Sequence, residues 1–220
     1  MPSEAKSMKR QRNLTDVRAC DGFSLVELVT SMVLTALILG VGVAAFSGAM
    51  NRRGRENNRT DALTSAQAAL NVMSREIGNS GFGLVDNGLV LADCTGKRIH
   101  FRSNFQNRGS YSTNLSGEDI AYYYDTTSKS VVRYDPNATT PTSGMINGVS
   151  DINFTYYDYN PTSSTTTVTS STTTCTANTA RVGVAILVTL PDVQGQPTGR
   201  IEKVTSDITL RNSPYMLSQY

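Results

Sequence analysis

The 220-residue chain holds a single histidine, His100, and nothing beside it that would build a catalytic centre. No nucleophile motif lies near it, no Cys/His spacing suits a metal, and no Gly-rich phosphate loop or EF-hand loop is present. An enzyme, a cofactor and a bound metal are therefore not expected. Charge of either sign is also balanced: 20 cations against 18 anions leave +2. No basic patch interleaves with the tyrosines at 122–124 and at Tyr156, Tyr157 and Tyr159, so nucleic acid is not an expected partner. Alternation on half-buried strands accounts for those tyrosines. Asp86, Asp125 and Asp135 read as turn formers.

A second absence is local. From Leu28 to Met50 there is no Asp, Glu, Lys, Arg, His, Asn, Gln or Pro, and roughly 20 apolar residues suffice for a helix to cross a bilayer. The run is longer than the apolar core of a cleavable secretory signal, and no Ala-x-Ala site closes it. Asn51, Arg52, Arg53, Gly54 and Arg55 follow, as at the watery end of a span, with long basic side chains able to snorkel. A plain anchor would account for the run but not for Glu27 at its lip. A carboxylate near lipid needs either interfacial water and the helix dipole or a nameable cation. If the chain were cut after Gly22, the ammonium of Phe23, four residues before Glu27, would be that cation, on this chain or on a neighbour.

A basic leader, then Gly22-Phe23-Ser24-Leu25-Val26-Glu27, then an apolar helix resembles the N-terminal signal of type IV prepilins and pseudopilins. The resemblance implies cleavage between Gly22 and Phe23 by a prepilin peptidase, N-methylation of Phe23, and a Glu27 that registers subunits in a helical fibre. The leader carries Lys6, Lys9, Arg10, Arg12 and Arg18 against Glu4, Asp16 and Asp21, which leaves the remainder formally neutral. Those cations favour a cytoplasmic N-terminus. Arg52, Arg53, Arg55 and Arg59 blunt the asymmetry, so orientation rests on the cleavage motif. Met8 offers an internal start.

The organisation that follows is a leader at 1–22, a transmembrane and assembly helix at 23–50, its amphipathic continuation at 51–80 and a β-rich extracytoplasmic head at 81–220. Leu63, Ala66, Leu70, Met73 and Ile77 form the stripe of the continuation, and Gly78, Gly81 and Gly83 supply the stop. The whole helix, from about Phe23 to Asn79, would run on the order of 80 Å. Gly40, Gly42 and Gly48 either weaken it locally or let helices approach closely. Predicted strands are 89–92, 98–102, 119–124, 130–134, 149–159, 182–190 and 201–209, with a hairpin turn at 125–128. The run 182–188 reads as a central strand buried on both faces. A helix packed on an antiparallel sheet gives an α+β head, in agreement with the pilin fold that the resemblance implies. The stretch 160–179 is so rich in Ser and Thr that it reads as an exposed loop.

The patches 69–77 with Gly81-Phe82-Gly83, 152–158 and 209–212 are similar to PilW-like minor pilins. That narrower likeness implies a minor, tip- or priming-type subunit of a type IV pilus. Its partners would be other pilin and minor pilin subunits, the prepilin peptidase, an inner-membrane assembly platform and the lipid bilayer. It would be stored as a single-pass inner-membrane protein and move to an extracellular pilus. The alternatives are a minor pseudopilin of a type II secretion system, in a periplasmic pseudopilus, and a membrane-anchored binding module that never polymerises. Cys20 would leave with the leader, so Cys94 and Cys175 remain as an even pair in an oxidising compartment and are expected to form a disulfide.

Overall fold

The computed structural model describes residues 22, 24–106, 110–160, 168–192 and 197–219. The chain divides into two compact units, Met1–Gly48 and Ala49–Tyr220. The first helix, α1, runs unbroken over Leu25–Gly78. Its first turn closes with the Leu28 amide donating to the Ser24 carbonyl at 3.0 Å. Within the apolar stretch the hydroxyls of Thr30, Ser31 and Thr35 donate back to the carbonyls of Glu27, Leu28 and Ser31 at 3.1, 2.8 and 2.7 Å. These three hydroxyls are thus satisfied inside the helix, as a hydrocarbon surrounding would demand. Gly40, Gly42 and Gly48 interrupt nothing, and a Cβ at any of them would meet open space.

In the second unit, α1 turns one face to the core through Ala66, Ala69, Leu70, Met73 and Ile77, all buried. Leu63, expected on this stripe, is only half-buried; Ala62 packs against the core in its place. The helix therefore continues the stripe at steps of four rather than drifting to Leu63. Beyond Gly78 the chain winds back through a tight loop in which Gly81, Gly83 and Gly88 all have positive φ. A Cβ on Gly88 would stand 2.2 Å from the Gly81 nitrogen and 2.4 Å from the Arg102 carbonyl oxygen. Asn87, fully buried, fastens this loop by donating from Nδ2 to the carbonyls of Thr176 and Thr179 at 2.9 and 3.1 Å.

Among the described residues eight strands follow: β1 Arg98–Arg102, β2 Asp119–Asp125, β3 Ser130–Tyr134, β4 Thr142–Asn147, β5 Val149–Tyr159, β6 Val168–Thr172, β7 Thr179–Thr189 and β8 Ile201–Thr209, before a short helix α2, Pro214–Leu217. They make two antiparallel four-stranded sheets, ordered β1-β2-β3-β4 and β6-β5-β7-β8. The predicted turn joins β2 to β3: Asp125 accepts from the Thr127 amide at 2.9 Å and the Ser128 hydroxyl at 2.6 Å, and Lys129 takes positive φ. Gly148, at φ +70°, carries the chain from one sheet to the other. Its neighbours pair in both directions, since the Val149 amide donates to the Lys129 carbonyl and the Thr189 amide to the Gly148 carbonyl, each at 2.9 Å. One apolar core joins α1 to both sheets, with Phe101, Tyr122, Ile152, Phe154, Tyr156 and Ile186 among its buried members.

Four expectations need correction. Residues 89–92 are not a strand: Leu89 makes one isolated bridge to Phe101, and Leu91–Asp93 is a single 3-10 turn. Part of the Ser/Thr-rich stretch is a strand, β6, because the long edge of β5 gives its polar backbone a ladder to join. The single sheet is two sheets, since Gly148 breaks the meander. Finally, β7 is central as expected, yet only one of its faces is fully buried; Gly183 and Ala185 lie on the half-buried face. Neither β4 nor α2 was foreseen.

Candidate functional site

Of the predicted processing and assembly residues, Gly22 precedes α1 and Glu27 lies in its first turn. Gly22 is exposed, and a Cβ there would meet nothing within 4 Å among the described residues beyond its chain neighbours. Phe23 lies outside the described residues. Glu27 occupies the first turn of α1, where a carboxylate is favoured by the helix dipole. Its side chain is exposed and makes no ion pair among the described residues. Every residue from Leu25 to Met50 is exposed, with Leu25 at 77 % and Ile38 at 72 %. This surface, rich in Leu, Val, Ile, Met and Phe, has no covering among the described residues. Water is a poor medium for so much apolar surface, and α1 is long and apolar enough to cross a membrane.

Cys94 and Cys175 are joined by a disulfide with a Cα–Cα distance of 5.6 Å. Cys94 precedes β1 and Cys175 precedes β7, so the bond ties the leading strand of one sheet to a central strand of the other. Beside it, His100 lies between two carboxylates, with Nδ1 2.7 Å from Asp93 and Nε2 2.5 Å from Asp119. Arg102 Nε donates to Asp119 at 3.1 Å. The hydrogen bond with His100, reinforced by the charges of Arg98 and Arg102 against some desolvation, holds Asp93 below the usual carboxylate range. The cluster fastens the 3-10 turn next to Cys94.

The sequence reading missed a second polar cluster. Glu76, on the same turn as core residue Ile77, accepts from Tyr122 Oη at 2.5 Å and from Arg133 Nε at 3.0 Å. Arg133 also approaches Asp135 at 3.5 Å, and Asp135 accepts from the Gly117 amide at 2.7 Å. Burial above all, and then the charge of Glu76, pushes the Tyr122 phenol far above its ordinary range. Sequence carried one sign of this pairing, an acid flanked by the helical stripe positions Met73 and Ile77.

The chain has no significant match among protein-family models, curated proteins or solved structures.

Proposed function

We propose that the chain is a membrane-stored subunit that loses its leader after Gly22 and polymerises through α1, as a minor, tip- or priming-type component of a type IV pilus. The observation that carries this reading is Glu27: an exposed carboxylate on the first turn of α1, whose apolar residues 25–50 are uncovered among the described residues, four residues from the terminus that cleavage would create. In lipid, an unpaired carboxylate and an unpaired ammonium each cost free energy. A contact that pairs them between two copies of such a helix makes docking preferred over storage. The sheath of apolar side chains supplies the rest of the packing, and the disulfide-linked head suits an oxidising exterior.

Two variants test the reading in cells. Gly22→Leu is expected to abolish the mobility shift of leader removal, because a bulky side chain obstructs the peptidase. Glu27→Ala is expected to leave processing and membrane insertion intact while removing the chain from sheared surface fibres. Unchanged surface behaviour in both variants would support a permanent anchor for a binding module. Absence of the processed chain from fibres, with loss of protein secretion when it is deleted, would support a type II secretion pseudopilin.

A further inference from the structure

Arg52, Arg55 and Arg59 are spaced by three and four residues and share one face of α1. The connection between β7 and β8 brings Arg200 to that face. Together with Glu56, Leu190 and Pro197 they line a cavity of about 410 Å³. Glu202, on β8, holds two of the four arginines in place by accepting from Arg59 Nε at 3.1 Å and Arg200 Nη2 at 3.2 Å. Among the described residues that line or hold the cavity, four are arginines and two are carboxylates. Arg53, although next in sequence to Arg52, is not part of the lining.

Depth matters as much as charge. Arg52 and Arg55 follow the last apolar residue, Met50, by about 3 and 8 Å along the helix axis at ~1.5 Å per residue. The headgroup layer adds roughly 5–8 Å to each side of the hydrocarbon core. These two arginines therefore fall at the level of lipid phosphates, while Arg59 lies about 13 Å past Met50 at ~1.5 Å per residue, where Glu202 holds it beside Arg200 and both add their charge from above. A flanking-charge rule explains the arginines of α1; it does not explain why Arg200, remote in sequence from the span, converges on them. Guanidinium groups match the oxygens of a phosphate in bidentate fashion, and Leu190 and Pro197 give the cavity apolar walls. We infer that this cavity binds the headgroup phosphate of an anionic phospholipid in the leaflet on the C-terminal side of the span, an inference that rests on the reading of residues 28–50 as membrane-crossing.

The full-length protein, purified in mild detergent, is offered phosphatidylglycerol or phosphatidylcholine, and retained lipid is counted by native mass spectrometry. Phosphatidylglycerol is expected to be retained about thirtyfold better, and Arg52→Gln and Arg200→Gln should each cut its retention about fivefold. Arg53→Gln, the same charge change at the same depth but outside the cavity, should change it less than about twofold. Equal retention of the two lipids, or an equal loss in Arg53→Gln, overturns the site. Displacement of the lipid by inorganic phosphate, or its replacement by a second copy of the chain, overturns the assignment to lipid. Carbonate extraction of membranes separates the two readings: a chain released by carbonate refutes the span itself, whereas a retained chain with a flat lipid profile refutes only the headgroup site.

Discussion

Two tyrosine hydroxyls report on how the core treats polar groups. Tyr122 and Tyr156 are wholly buried, and Tyr156 Oη donates to the Arg98 carbonyl at 2.8 Å, tying β5 to β1. Burial raises both phenols far above the ordinary tyrosine range, with Glu76 adding its charge at Tyr122. A group whose folded pKa is raised contributes stability that is fully present below the unfolded value, about 10, and is lost as pH rises above it. Two such groups give a loss of about 2.7 kcal/mol per pH unit beyond pH ~10.5, since unfolding releases two protons. The urea midpoint of the detergent-solubilised protein, measured between pH 9 and 11.5, should fall accordingly. Tyr122→Phe should roughly halve that slope, and an unchanged slope would mean that Tyr122 ionises while folded. At the acid end Asp93, held below its ordinary value of 3.8 by His100, works in the opposite sense: its contribution is present above that pH and disappears as pH falls. Asp93 is only half-buried, so water screens this effect and the alkaline limb is the steeper one.

Elements were legible where their pattern was set by the core, and illegible where it was set by a neighbour. The 3.6-residue stripe of Ala66, Leu70, Met73 and Ile77 and the alternation of β5 follow from burying one face, so sequence alone located both. β4 is mostly exposed and carries Gly144, and β6 is built from Ser, Thr and one Val; each exists because an already formed strand offers a free edge. The Glu76–Tyr122–Arg133 cluster was invisible for a related reason: its members are far apart in sequence and meet only when α1 docks on the first sheet. The loop at Gly88 is the least forgiving element. Gly88→Ala would drive a Cβ into two backbone segments at a left-handed φ, with an expected cost of about 3 kcal/mol. Gly144→Ala, on an exposed edge with nothing within 4 Å, should cost less than about 0.5 kcal/mol. Comparable thermal midpoints for the two variants would refute the packing described around Gly88. The disulfide acts on the same scale, closing a sequence separation of 81 residues. Reduction, or Cys94→Ser with Cys175→Ser, should lower stability by about 4 kcal/mol in the chain-entropy account. A urea midpoint unmoved by reductant would show that the clamp between the sheets is dispensable.

For the whole molecule, the proposed function makes the balance between storage in lipid and incorporation into a fibre turn on one carboxylate. A charged side chain at the centre of a membrane helix costs on the order of 3 kcal/mol on insertion scales and less near the interface. On that proposal Glu27, in the first turn of α1, would carry the smaller cost while stored. Pairing with an ammonium on a docking copy removes that cost and the matching one on its partner, a preference of roughly 2 kcal/mol, or about thirtyfold in population. Glu27→Gln keeps the shape of the side chain and deletes the charge. Storage then becomes no less favourable, while docking leaves the partner's ammonium unpaired. The amount of the variant in the membrane should equal or exceed that of the parent, leader removal should proceed as before, and the ratio of chain in sheared fibres to chain in membranes should fall about thirtyfold by quantitative immunoblot. A general loss of folding would lower both fractions together, so the ratio separates it from failed docking. A Glu27→Gln chain that is cleaved normally and reaches fibres at the parental ratio would eliminate charge pairing as the step that recruits this subunit.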